Sequence, residues 1–233
     1  MSAVPRSKVK FILVIFLVLM LGVSVWINRT YFLSGENEGA VIPPIDAKDE
    51  ADQLIQLASQ NYFYHEFDQA AENYHKAIRL FEERKNFKRA AKIYESLGDL
   101  YKFSHRSKEA VQNYLLAVDY HNRLHNGIGE GRAMESLADF YRERSQFDDA
   151  GTWYGKAATV VQGLESHIVK AKIYETQGHY FWDTEQIPEA IDAFKKAQST
   201  FADLGFPLGY DHMAQIITRL KRHERSPRRP KGY

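Results

Sequence analysis

The stretch that decides the fold is residues 98–117, GDLYKFSHRSKEAVQNYLLA, in which Gly98, Ala110, Tyr114 and Ala117 stand at fixed intervals. The same intervals recur forty residues earlier, and forty and eighty residues later, without a gap. In the other copies the four positions are Ala58, Ala70, Tyr74 and Ala77; Ala138, Ala150, Tyr154 and Ala157; and Gly178, Ala190, Phe194 and Ala197. A period of this kind predicts a chain of similar structural units stacked on one another.

Each copy indicates two short antiparallel helices. Alanine, an aromatic residue and alanine at positions i, i+4 and i+7 form one stripe on the second helix, which is typical of a packing face. The small residue that begins each copy, such as Gly98, is called the first mark, and it lets the second helix approach closely. Turn-forming residues such as Ser104, Ser107 and Pro188 lie between this small residue and the first alanine of the stripe, where a helix break is expected. The spacing predicts connections of about three residues.

On these residues the chain resembles the tetratricopeptide repeat family, over residues 51–203. The usual period of that family is about 34 residues. The longer period here is similar to the long-helix variant of vesicle-fusion attachment proteins and polarity adaptors. The resemblance implies an all-α solenoid of four helix pairs at residues 51–206. A capping helix is expected at 207–222, with Met213, Ile216, Ile217 and Leu220 at helical spacing.

The first fifty residues differ from the repeats. Residues 11–27, FILVIFLVLMLGVSVWI, are uncharged and nearly all apolar, which predicts one transmembrane signal anchor behind a basic flank at 1–10. A cleaved signal peptide and a buried core helix are the alternatives. Residues 28–50 mix glycine, proline and acids without periodicity and are interpreted as a linker.

Charge next to this segment predicts the localisation. Arg6, Lys8 and Lys10 precede the apolar run, and the positive-inside rule therefore places the N-terminus in the cytoplasm. The prediction is a single-pass membrane protein whose repeat domain is extracytoplasmic, either periplasmic or lumenal. In the alternative topology, the repeats are cytosolic on an organelle.

Composition and charge exclude several classes of protein. A chain of 233 residues with 44% hydrophobic and 26% charged residues is not wholly disordered. It has no cysteine, which excludes disulfides, cysteine nucleophiles and thiolate metal sites. The net charge is +1, with +3 in residues 1–10 and +6 in residues 219–233, so residues 11–218 carry −8. Residues 223–233 are expected to form a basic, disordered tail, and no nucleic acid is expected as a partner outside the cytoplasm.

The sequence offers no catalytic constellation. Gly127, Gly129 and Gly131 form a GxGxG string, but no strand precedes it, so a phosphate loop is not indicated. His121 and His125 stand at i and i+4 on a predicted helix, without a third metal ligand at a suitable spacing. We therefore predict no enzyme, no metal and no cofactor.

The resemblance implies that the first helix of each pair lines a concave surface where ligands bind. The predicted partner-binding residues there are Glu95, Asp99, Glu135, Asp139, Glu175 and His179, with Tyr62, Phe103 and Trp182 as aromatic anchors. Acids replace the lysine and asparagine with which the family clamps a terminal carboxylate, which favours a basic or amphipathic peptide. Ion pairs at i,i+3 within each helix, from Lys92, Arg132 and Lys172, are the alternative role for these acids.

The resulting function is a membrane-anchored scaffold or adaptor that binds a partner protein or peptide through its concave surface, without catalysis. The alternative is a permanent accessory or assembly subunit of a membrane protein complex. A large exposed apolar patch favours the subunit, whereas a polar groove with a few aromatic anchors favours peptide capture.

Overall fold

A computed structural model describes residues 49–225, with side chains through residue 222, and this part of the chain forms nine α-helices. They are α1 (Glu50–Phe63), α2 (Phe67–Glu83), α3 (Phe87–Phe103), α4 (Ser107–Arg123), α5 (Gly127–Glu143), α6 (Phe147–Gln162), α7 (Ile168–Asp183), α8 (Ile187–Asp203) and α9 (Pro207–Arg225). All nine belong to one compact unit, Asp46–Tyr233, while the unit Met1–Ile45 lies outside the described residues.

The helices pack as four consecutive pairs followed by α9, which packs against α8. This arrangement confirms the predicted all-α solenoid of helix pairs. The stripe of alanine, aromatic residue and alanine on each second helix is buried, with exposures from 0% to 6%. At the first mark of the second pair, a Cβ on Gly98 would lie 2.5 Å from the ring of Tyr114. Glycine here lets the buried ring of Tyr114 lie directly over the backbone of α3, whereas alanine stands at this position in the first and third pairs.

The connections within the pairs are short, as predicted. Three residues join α1 to α2, α3 to α4, α5 to α6 and α7 to α8. In each of these turns one residue has a left-handed backbone with φ between 59° and 62°, and these residues are His65, His105, Ser145 and Glu185. Between α6 and α7 the connection is longer, at residues 163–167.

The two ends of the described solenoid differ. Leu97 and Leu137 are fully buried against neighbouring helices, but Leu57, at the equivalent position of α1, is 46% exposed. At the other end α9 buries Met213 and Leu220. It occupies the place of a fifth first helix, with no described helix after it.

The predicted localisation is corrected. None of the helices along residues 49–225 is long and apolar enough to cross a membrane. This finding overturns the prediction of a single-pass membrane protein. The predicted extracytoplasmic position of the repeats depended on that prediction and is withdrawn as well. The predicted span at 11–27 lies outside the described residues, as do most of the predicted linker and tail.

Candidate partner-binding surface

The predicted site residues all lie on the first helices of the pairs. We call the side of α1, α3, α5 and α7 that carries them the first-helix surface. Tyr62 lies on α1; Glu95, Asp99 and Phe103 lie on α3; Glu135 and Asp139 lie on α5; Glu175, His179 and Trp182 lie on α7. These residues lie in different environments: some are buried or bonded to neighbouring helices, and others are open to solvent.

Two of the predicted acids hold buried tyrosines. Asp99 accepts a hydrogen bond of 2.6 Å from the hydroxyl of Tyr114, and Asp139 accepts one from Tyr154. The equivalent side chains of the first pair, Ser59 and Tyr74, have their oxygens 3.4 Å apart, while in the fourth pair the rings of His179 and Phe194 lie 5.0 Å apart. Each such contact joins residues 15 apart. The sequence carries this signal, because tyrosine occurs where the partner has an oxygen and phenylalanine occurs where it does not.

Asp99 is the most open of these carboxylates. Asp99 is exposed, but surrounding protein groups displace part of the water that would solvate the charge of its carboxylate. This desolvation raises the pKa of the Asp99 carboxyl, and the hydrogen bond from Tyr114 and the charge of Lys102 oppose the shift. Burial and the charge of Asp99 also raise the pKa of the Tyr114 hydroxyl, which therefore stays a donor.

Glu95 belongs to a network that joins three helices. It accepts hydrogen bonds from Arg132 Nε on α5 at 2.9 Å and from His121 Nε2 on α4 at 2.7 Å. Asn126 accepts from the Gly129 amide through Oδ1, so its Nδ2 faces His121 Nδ1 at 3.1 Å. This geometry assigns the proton of His121 to Nε2. Glu95, whose side chain is 13% exposed, thus stabilises the packing of neighbouring pairs.

Glu135 is buried between α5 and α7. It is 8% exposed and accepts a 2.8 Å hydrogen bond from the Thr176 hydroxyl. Burial raises the pKa of its carboxyl to about 7, and the charges of Asp139 and Glu175 add to the shift. The hydrogen bond from Thr176 and the charge of Lys172 oppose it. Near neutral pH this side chain is therefore partly protonated.

Basic side chains lie beside the acids. Lys102 on α3 bonds to Glu143 on α5 at 3.2 Å, and Arg142 on α5 repeats the contact with Asp183 on α7 at 3.3 Å. The nitrogen of Lys172 lies 3.8 Å from Glu175, which is the intrahelical pairing expected as the alternative. The first-helix surface therefore presents mixed charge.

The predicted aromatic anchors form two separate groups. Trp182 stacks with His179 at 6.2 Å between ring centroids, and the guanidinium of Arg219 on α9 lies 5.5 Å over its ring. Tyr62 and Phe103 lie 5.6 Å apart in the first and second pairs. Burial lowers the pKa of His179, which favours the neutral ring.

The two motifs set aside in the sequence have structural roles. His125 lies beyond the end of α4 with φ of 53°, so the predicted helical histidine pair is wrong, and His121 is fully buried. A Cβ on Gly129 would lie 2.5 Å from the His121 ring, so this glycine allows α5 to pack over α4. Within residues 49–222 no three histidines or carboxylates group closely enough to hold a metal ion.

Stacked helix pairs with a regular row of charged and aromatic side chains on their first helices define a helical-repeat protein, a class typical of adaptors. The family model of soluble NSF attachment protein, SNAP, matches residues 40–158, just over half of the chain. The chain belongs to this family. No curated protein matches it significantly.

Two solved structures share the fold. The crystal structure of BtubC (BKLC) from P. vanneervenii is similar with a TM-score of 0.54 and 17% identity, over 78% of this chain and 85% of that chain. Aspartyl phosphate phosphatase F from Bacillus subtilis is similar with a TM-score of 0.59 and 15% identity, over 73% of this chain. The match covers 45% of the phosphatase, so this chain spans less than half of its length. At these identities the likeness concerns the fold alone.

Proposed function

We propose that this chain is a non-catalytic adaptor that binds a segment of a partner protein along the first-helix surface. The observation that supports this most is the row of side chains at equivalent positions of α3, α5 and α7, in which Asp99 stays open to solvent. A surface that repeats at each helix pair suits an extended or helical segment lying across several pairs.

The carboxylates that remain accessible narrow the proposed ligand. Glu95 and Glu135 are held inside the protein by neighbouring helices, and the Glu175 side chain is only 17% exposed. The contact therefore falls to Asp99 and to Asp139, whose side chain is 30% exposed. A basic or amphipathic segment fits them.

The test removes charge without removing the hydrogen-bond acceptors. Asp99→Asn and Asp139→Asn leave an oxygen for the hydroxyls of Tyr114 and Tyr154. We expect the double variant to bind its partner about fivefold to tenfold more weakly, because each exposed ion pair contributes up to about 1 kcal/mol. Quantitative affinity capture from cells, followed by titration of the captured protein, measures the change.

A matched control lies on a second helix. Asp192 on α8 is exposed and pairs with Lys196 at 2.8 Å, and it lines a pocket with Gln177 and Phe181 of α7 that contains none of the predicted site residues. Asp192→Asn should bind like the unmodified chain. Equal binding by all three proteins would show that the first-helix surface does not hold the partner.

One observation favours a second candidate, a permanent subunit of a larger complex. Phe63 is 75% exposed and Phe103 is 52% exposed, at equivalent positions of the first and second pairs. In this case the captured partner would stay bound at high salt and in both aspartate variants.

A further inference from the structure

Six aromatic rings cluster around the turn between α1 and α2 and the end of α3. We call this cluster the aromatic patch: Tyr62, Phe63, Tyr64, His65, Phe67 and Phe103. Tyr62, Phe67 and Phe103 contact one another with centroid distances of 5.6 to 6.0 Å, and His65 stacks on Phe103 at 5.9 Å. Phe63 and Tyr64 contact each other at 5.4 Å and are 75% and 61% exposed. Four of the rings thus form one contact network, and the solvent-exposed pair Phe63 and Tyr64 follows Tyr62 directly in the chain.

Packing of the repeats does not account for the exposed rings. Glu143 and Asp183 occupy the places of Phe63 and Phe103 in the third and fourth pairs, and they bond to Lys102 and Arg142 of the preceding pairs. The solenoid therefore uses these positions for ion pairs wherever they are charged. Exposed phenylalanines at the same positions of the first two pairs indicate a contact with another chain.

Carboxylates outnumber cations around the patch. Asp68 pairs with Arg106 at 3.0 Å and keeps 95% of its side chain exposed. Burial, followed by the charge of Asp99, raises the pKa of the Tyr62 hydroxyl, while Lys102 opposes the shift. Among the described residues at and beside the patch, two cations, Lys102 and Arg106, are thus accompanied by five acids, which are Glu66, Asp68, Asp99, Glu109 and Glu143. Aromatic rings in an acidic surround suit a segment that combines proline with arginine.

The chain contains such a segment directly after α9. Residues 226–233 read SPRRPKGY, with two prolines, three cations and no acid. We propose that this segment of a second copy of the chain docks on the aromatic patch. Proline rings pack flat on aromatic faces, and guanidinium groups stack on them, as Arg106 does over Tyr101 at 4.6 Å.

Chain length favours a second copy over the chain's own segment. Pro230 follows Arg225 by five residues, which span at most about 18 Å. Between α1 and α9 there are four steps from one helix pair to the next. With about 8–10 Å for each step, the two helices are about 32–40 Å apart along the solenoid. The contact is therefore head to tail, between different surfaces of the two copies.

Disulfide trapping tests the contact, because the chain has no cysteine of its own. One copy carries Gln60→Cys, an exposed position one turn before Phe63, and a differently tagged full-length copy carries Gly232→Cys. Mild oxidation of the mixture should give a mixed dimer. Phe63→Ser with Tyr64→Ser in the first copy should lower its yield at least tenfold. Arg228→Gln with Arg229→Gln in the second copy should do the same.

Matched controls keep the result specific. Leu208→Ser changes an exposed residue of α9 (64% exposed) and should leave the yield unchanged. Lys195→Cys, exposed on α8, replaces Gln60→Cys as a distant cysteine and should give no more than background.

Several results would overturn the proposal. One is a yield at background level, and another is a yield that the patch substitutions leave unchanged. A double variant with both cysteines that closes within one chain at high dilution would assign the contact to the chain's own segment. Binding to phosphatidylcholine–phosphatidylserine vesicles that needs Phe63 and Tyr64, without any mixed dimer, would assign the patch to lipid.

Discussion

Single residues in left-handed backbone shape almost every turn of the described chain. At Lys85 φ is 57°, the Asn86 amide donates to the Phe81 carbonyl at 2.7 Å, and the Lys85 amide donates to the Glu82 carbonyl at 2.9 Å. This is a Schellman motif, which usually has glycine at its left-handed position. In six turns the left-handed position is occupied by histidine, lysine, serine or glutamate. Each of these residues destabilises the fold by about 1 kcal/mol relative to glycine, because its Cβ is crowded at positive φ.

Lys85→Gly should therefore stabilise the fold. Lys85 is exposed, so its side chain loses no packing. We expect the free energy of unfolding to rise by about 0.5–1 kcal/mol, because glycine adopts positive φ without a Cβ clash. Urea unfolding followed by circular dichroism measures the change, and an unchanged or lower midpoint would contradict the assigned geometry.

A second prediction at this scale concerns the core of the third pair. Ala150 is fully buried in a cluster with Ala138, Tyr154 and Tyr180, so Ala150→Leu should destabilise the fold by about 1–3 kcal/mol. Gly155→Ala in the same helix is the control, because a Cβ there meets no atom within 4 Å. The control should leave the melting temperature unchanged or raise it. Equal melting temperatures for the two variants would show that the forty-residue register is misplaced.

Contacts between first helices decide how the elements respond to pH. Glu135 on α5 bonds to Thr176 on α7, and its pKa in the folded chain is raised to about 7. The unfolded chain binds fewer protons at this group between its ordinary pKa of 4.5 and 7. The contribution of Glu135 to stability is thus fully present below pH 4.5 and is lost as pH rises through 7.

Glu135→Gln should remove this dependence. The variant keeps an oxygen for Thr176 but carries no charge. We expect it to exceed the unmodified chain in stability by about 1–3 kcal/mol at pH 8 and to match it near pH 4.5. Chemical unfolding across this pH range, with Glu130→Gln as a control of similar size, measures the difference. A constant difference at all pH values would show that Glu135 is not the titrating group.

The helices were predictable from the sequence, while most of the contacts between pairs were not. Small and aromatic residues repeat within one pair, so local spacing is enough to place α3 and α4. Glu95 bonds to Arg132, which lies 37 residues away, and such a partner depends on how two pairs stack. The sequence therefore predicted an acidic row but not that Glu95 is held within the fold.

The whole solenoid is one compact unit, Asp46–Tyr233. A chain that begins at residue 46 should fold by itself, because each described helix finds its packing partner within this unit. Far-ultraviolet circular dichroism should show a strongly helical spectrum with a cooperative thermal transition. A substantial strand signal, or no transition, would contradict the repeat assignment.

The forty-residue register makes the length of this protein adjustable in whole steps. Lys102 meets Glu143 and Arg142 meets Asp183 through the same contact, one pair further along. If residues 103–142 were excised, Lys102 would face Asp183 in place of Glu143. Duplication or deletion of one forty-residue unit would therefore lengthen or shorten the first-helix surface by one pair. The ion pairs between neighbouring helix pairs would be kept.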